Sequence, residues 1–422
     1  MTGVGGRERA PALEALGAAL VAREDTAGAL EVFEELHAVA PDHLGAQRQL
    51  AEIYGRLATQ AVADPDDTRH FERAIRHRTA YLRAVPAEPG SLRDLIALYR
   101  GAGHSHWAVT PLRLLNLIRE ATREEAELAR SLGGPLDDRP GLVLDAITRG
   151  ELIAEPEWKN ATAVFLRVLW AAVAEPLDAL LSGQAEPVEP AETHAPQVID
   201  LVWGLCDALE LPRCRVWIRP ATTTRLEAMQ LLPLELVVDA GLVQGTNPRD
   251  LRFQFARALE GMRDHHLLLS GLGWEDARAL FAAAMAIGLG DDGAEYAIRT
   301  GAEAERIEFW AEFLVENLDE AAHAALGRAA GPVAAVGPRA FELWSTATRR
   351  LANRTAFVLS GDLGRAVALL QREGETTKTL RVKGSEGFVA LMEANAEIAD
   401  VYRFAFSARF HALLGALPGE TR

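Results

Sequence analysis

The stretch Leu236–His266, LVVDAGLVQGTNPRDLRFQFARALEGMRDHH, decides how the second half of this 422-residue chain reads. An apolar run, Leu234 to Val238, suits a short strand. After a turn, a helix opens at Asn247-Pro248: Asn is a good N-cap, and Pro fits the first helical position because its missing N–H has no intrahelical partner there. Phe253, Ala256, Leu259 and Glu260 then recur at helical spacing.

Working outward, the turn contains Asp239-Ala240-Gly241-Leu242-Val243, the helix opens with Arg249-Asp250-Leu251, and its body is Phe255-Ala256-Arg257-Ala258-Leu259-Glu260-Gly261-Met262. Downstream lie Leu351-Ala352-Asn353-Arg354-Thr355-Ala356 and Ser360-Gly361-Asp362. Together these resemble the motif helix and third-ligand helix of the HtpX-like gluzincin metallopeptidases, over roughly Val198 to Arg372. In that register the zinc histidines fall on Arg257 and Gly261, the general-base glutamate on Ala258, the third ligand on Leu351 and an aspartate on Asn353. Zinc needs imidazole, thiolate or carboxylate donors, and an alanine takes no proton from water. The resemblance therefore implies a peptidase-like α+β domain with its metal site erased, a pseudoenzyme with no cofactor. Arg257, Glu260, Asn353 and Arg354 would line the vestigial cleft, and a small sheet ahead of the helix could take a peptide by its edge. His265 and His266 follow the helix; as neighbours they chelate one ion poorly, and the reading favoured is a pair of helix-end histidines stabilised by the dipole. Members of that family are often membrane-anchored, whereas no window here approaches 18 uninterrupted apolar residues.

The first part of the chain repeats. Leu13, Leu16, Gly17 and Leu20 fall on one helix; Ala29, Phe33 and Leu36 fall on the next, which Pro41 ends. Gln47, Leu50, Ala51 and Tyr54 restart the pattern, an insertion (ADPDDT, 63–68) interrupts it, and Ala74, Tyr81 and Pro86 complete it. Leu92, Leu95, Ile96 and Tyr99, then Ala108, Leu112 and Leu115, make a third copy. This resembles the tetratricopeptide repeat, a helix pair of about 34 residues. Gly17 lets the paired helices approach and Phe33 fills the space between pairs. Such pairs stack into an array with a concave surface that takes a protein or peptide. Gln47, Tyr54, Tyr99, His104 and Trp107 are the candidate contacts.

Composition bounds the rest. The formal net charge of −16 argues against a nucleic-acid or anionic-membrane partner. Of 44 basic residues only Lys159, Lys378 and Lys383 are lysines, which with the many Ala and Gly suggests a GC-rich bacterial genome. Cys206 and Cys214 are too few for a disulfide scaffold and read as small buried residues on either side of a turn. The loop Gly288–Gly293, GLGDDG, lacks the ligand spacing of a calcium loop and reads as a helix–helix turn.

The expectation is a mainly α protein in which a repeat array precedes a zincin-like domain. Its segments are a flexible tail (1–10), helical repeats (11–130), a helical connector (131–182), a Pro/Glu-rich linker (183–196), the gluzincin-like domain (197–375) and C-terminal helices (376–422). The function expected is a cytoplasmic, non-catalytic scaffold that binds another protein or peptide, with no membrane span. The alternatives are a metal-dependent peptidase with unrecognised ligands, or a structural subunit of a larger bacterial assembly.

Overall fold

The computed structural model describes residues 4–60, 69–132, 143–181, 188–244 and 246–416. It is mainly helical with one small mixed sheet, and it forms two compact units: Met1–Asp138 together with Gly361–Arg422, and Arg139–Ser360. Among the described residues no helix is long and apolar enough to cross a membrane.

The first unit begins with a run of helices: α1 (Val4–Ala22), α2 (Thr26–Val39), α3 (Leu44–Gln60), α4 (Arg69–Ala84), α5 (Pro89–Gly101), α6 (Val109–Leu117) and α7 (Arg123–Ser131). Residues 4–10, expected as a tail, belong to α1, and Ala10 is already buried. Each of the first five helices packs on the next. A Cβ at Gly17 would meet the Phe33 ring at 2.7 Å, so α1 and α2 approach as closely as the glycine suggested. Asp25 caps α2 by accepting from the Gly28 N–H at 3.0 Å, and Pro89 occupies the first turn of α5. Arg119, with φ 60, separates α7 from α6, and Thr122 and Glu125 form a capping box on α7. The insertion at 63–68 and the Gly-Pro break after Leu132 lie outside the described residues.

The chain does not divide at 375. Helices Leu363–Glu373, Gly384–Ala394, Ala396–Ala405 and Ala408–Ala416 complete the first unit. Buried Arg113 on α6 donates to Gly361 O at 2.7 Å and pairs with Asp362 at 3.1 Å. The Tyr402 hydroxyl donates to Leu82 O at 2.8 Å and accepts from the Ala87 N–H at 3.1 Å. These pairings join distant parts of the sequence, which local periodicity cannot register.

In the second unit the strands run in the order β1-β2-β4-β3: β1 is Glu189–Pro190, β2 Arg215–Arg219, β3 Leu226–Leu231 and β4 Leu234–Asp239. β2 and β4 are parallel, and the other neighbours antiparallel. The segment expected as a linker over 183–196 is thus structured from Glu189 onward. Pro190 lacks an N–H and sits on an edge strand, where no ladder donor is needed, and short helix Ala191–His194 follows. β3 begins at Leu226, because just before it Thr223 and the Arg225 N–H bind the buried Asp239 carboxylate. At the β3 edge, Asp178 accepts from the Leu231 N–H at 2.8 Å, so this edge is partly capped.

Helix Trp274–Leu289 is buried from Ala279 through Met285 and packs on Ala304–Asn317 and Glu320–Val336, forming the centre of this unit's core. Gly288–Gly293 is a helix–helix turn in which Gly290 has φ 62. Cys206 and Cys214 are both buried and unbridged. Helix Pro248–Gly261, capped by Asn247, lies along helix Ala340–Ser360.

Candidate functional site

The first unit carries a cavity of about 840 Å³ between α2, α3, α4, the connection from α5 to α6 and the C-terminal helix Ala408–Ala416. That size is typical of a ligand pocket. Of the residues singled out in the sequence, Gln47, His104 and Trp107 line it, joined by His37, His77 and His411. Tyr54 and Tyr99, expected as contacts, are buried and act from beneath.

Each is held for an identifiable reason. The Tyr54 ring stacks on His77 at 5.9 Å, its hydroxyl donates to Glu34, and Arg73 donates to that hydroxyl at 2.9 Å. Burial, reinforced by Glu34, raises the Tyr54 pKa. The Tyr99 hydroxyl meets His411 Nε2, and His411 Nδ1–H donates to Ser407 O at 2.8 Å, so His411 is neutral and accepts from Tyr99. Burial lowers the His411 pKa in keeping with that assignment. Trp107 stacks on His104 at 4.2 Å and sets its edge against Tyr99 at 5.7 Å. Its indole Nε1–H is buried with no acceptor among the described residues. Arg76 and Arg83 with Glu72 on α4, and Asp42 ahead of α3, give the rim both signs of charge.

Gln47 is the organising side chain. Its amide nitrogen donates to Pro41 O at 2.6 Å and lies 3.3 Å from His37 Nδ1; its oxygen lies 2.8 Å from His77 Nδ1. A carbonyl oxygen only accepts, so Pro41 fixes which end of the amide is nitrogen. His77 carries its proton on Nδ1, where it donates to Gln47. His37 accepts at Nδ1 and, when neutral, carries its proton on Nε2. Burial pushes the His77 pKa down to about 4, so the ring is neutral near pH 7.

In the second unit, helices Pro248–Gly261 and Ala340–Ser360 lie together. At the positions where the expected resemblance would put zinc ligands, Arg257 and Gly261 are half-exposed and Leu351 is buried; Ala258, where it would put the general base, is half-exposed. No family model, curated protein or solved structure matches this chain. Among the described residues no group of three or more His, Cys, Asp or Glu is placed to hold a metal ion.

The expected vestigial-cleft residues are engaged separately. Arg257 lies 5.7 Å from the centre of the Phe253 ring. Glu260 is fully buried and pairs with Arg149 at 3.0 Å and Arg263 at 2.9 Å. Arg263 lies three residues along from Glu260, whereas Arg149 is more than a hundred residues away and was not legible. Buried Arg354 donates to Ile153 O at 2.9 Å and pairs with Glu155 at 2.9 Å, and Asn353 is also buried.

His265 and His266 are not dipole-stabilised cations. His266 is buried, with Nδ1–H donating to Glu260 O at 3.1 Å and Nε2 accepting from Trp158 Nε1–H at 3.1 Å, which is a neutral tautomer. Burial, aided by His266, pushes the His265 pKa down to about 2, and neither ring nitrogen has a hydrogen-bond partner among the described residues. Desolvation of the charged form outweighs the favourable helix terminus.

Sequence reading missed His37, His77 and His411. His37 and His77 fall one turn beyond Phe33 and Ala74, on the helix faces that line the groove, a periodicity available in principle. His411 arrives through the C-terminal helix, for which no local signal exists.

Proposed function

We propose that this chain is a non-catalytic, cytoplasmic scaffold that holds a peptide segment of another protein in the histidine- and tryptophan-lined groove of its first unit. The observation that carries the reading is the groove itself: an open aromatic stack, Trp107 on His104, beside polar groups fixed by Gln47. Aromatic platforms with a few oriented polar groups are what peptide sites use for affinity and for specificity respectively. The helix-pair pattern of α1–α6 supports a tetratricopeptide-like origin for this surface.

The second unit is, in this proposal, a zincin-like domain without chemistry. Support comes from the packing of helix Pro248–Gly261 along Ala340–Ser360, the arrangement a shared metal would have required, with Arg257, Ala258, Gly261 and Leu351 at the positions that matter. Purified chain is expected to hold far less than one zinc per molecule and to leave unfolded casein uncut; stoichiometric zinc with cleavage would restore the peptidase reading.

The groove reading is tested by selecting peptides from a displayed random library on the full chain. Peptides that bind are expected to lose at least about ten-fold in affinity on Trp107→Ala, consistent with an aromatic hot spot, and to be unaffected by Arg257→Ala. Selected peptides insensitive to Trp107→Ala, or the absence of any binder, would overturn the assignment.

A further inference from the structure

The groove holds a more specific instruction than an apolar slot does. His37 and His77 sit side by side, ring centres 5.0 Å apart and nearly perpendicular, and both line the cavity. Gln47 occupies the Nδ1 of each ring. The hydrogen bonds of both rings are made at Nδ1, which leaves each Nε2 without a partner among the described residues, and both residues line the groove. His77 is itself only 6% exposed, its ring clamped by Tyr54 and Gln47, so its Nε2 is an aimed group rather than a surface one.

The pinned amide makes the two rings unlike. His77, protonated on Nδ1, offers a lone pair at Nε2. His37, accepting on Nδ1, offers an N–H at Nε2. A divalent metal bound at both Nε2 atoms would need His37 to lose that proton while Nδ1 still accepts, leaving an imidazolate; the lock by Gln47 and Pro41 works against it. A carboxylate would accept from His37 but face the lone pair of His77. A primary carboxamide satisfies both, because its oxygen and the N–H on the same side point in one direction. A backbone peptide unit does not: it is trans, with C=O and N–H directed oppositely, and two neighbouring rings cannot meet both groups.

We propose that this His37–Gln47–His77 unit is a carboxamide reader that takes the side chain of a glutamine or asparagine in the bound peptide, its oxygen on His37 Nε2–H and its N–H on His77 Nε2. Leu44 and Ile75 supply apolar wall for the methylene stem. Such a residue is discriminated from its acid by hydrogen-bond polarity rather than by size, the mode in which buried polar groups left unpaired penalise the wrong ligand. Arg76 and Arg83 are offset at the same groove by Asp42 and Glu72, so the hydrogen-bond pattern rather than the net charge sets the selectivity.

This inference rests on the groove being the binding surface, and its test is separable from that reading. Full chain labelled with ¹⁵N-histidine reports tautomers directly by two-bond ¹H–¹⁵N spectra, with signals assigned from His37→Gln and His77→Gln. The free protein should show His77 protonated on Nδ1 and His37 on Nε2. Propionamide should shift both Nε2 signals and bind at least about ten-fold more tightly than propionate or N-methylpropionamide, the equivalent of one hydrogen bond of about 1.4 kcal/mol. Gln47→Leu should abolish the preference. Equal binding of the three probes, preference for propionate, shifts confined to other histidines, or no shift would each overturn the carboxamide assignment. If selected peptides still depend on Trp107 in that event, the groove stands and only its reader falls.

Discussion

Single residues in this chain show burial overriding local preference. Glu260 is completely enclosed between Arg149 and Arg263, and burial lowers the Arg149 pKa even beside that partner. Removing the acid while leaving the guanidinium buried costs more than the pair contributes. Glu260→Leu should therefore lower the stability of the second unit by about 3–5 kcal/mol in urea unfolding, and Arg149→Met in the same chain should recover part of it. His77 and His265 predict the acid response. Their folded pKa values, about 4 and about 2, lie below the ordinary histidine value of 6.5. A histidine with a depressed folded pKa contributes stability above its unfolded pKa. That contribution is lost as pH falls, because the unfolded chain takes the proton first. Each should cost up to about 1.4 kcal/mol per pH unit below about 6.5, ending near pH 4 for His77 and continuing towards pH 2 for His265. Melts of His265→Leu between pH 7.5 and 5 should show a shallower decline than the parent chain; an unchanged slope would contradict the assignment. The Asn247-Pro248 cap and Gly17 were legible because they are local. Arg149, His411 and the tautomer lock were not, because their partners come from elsewhere in the chain.

At the scale of elements, helical spacing marked the repeats of the first part and the helix opening at Asn247-Pro248, and the departures elsewhere have physical causes. The Glu189–Pro190 strand reads as linker, since Pro and Glu dominate there, yet an edge strand needs neither a Pro N–H nor an apolar outer face. Asp239 recruits Thr223 and the Arg225 N–H ahead of β3. Gly17 facing Phe33 gives the sharpest element-level test. Gly17→Ala places a methyl 2.7 Å from a ring carbon, and overpacking of this kind costs about 1–3 kcal/mol. Phe33→Leu should relieve it, so the double variant should melt above Gly17→Ala alone; additive losses would show that α1 and α2 do not meet at this point.

For the whole molecule, the sequence marked two parts but not that the first is discontinuous. Its helices α1–α7 are completed by the chain after Gly361, through Arg113–Asp362, Tyr402 with Leu82 and Ala87, and Tyr99 with His411. A chain ending at Ser360 should lose the cooperative unfolding of the first unit while the second unit keeps its own transition. Two undisturbed transitions in calorimetry would contradict the division. The groove also depends on this closure, since His411 and Ala408 line it. The claim on which the account depends is that the first unit, and not the helix Pro248–Gly261, is where a partner binds. Hydrogen exchange of the full chain with and without a selected peptide tests it most directly. The account predicts slowed exchange in the segments carrying His37 to Gln47, Glu72 to Ala84, His104 to Trp107 and Ala408 to Ala412. Protection centred on Pro248–Gly261 and Ala340–Ser360 would contradict it.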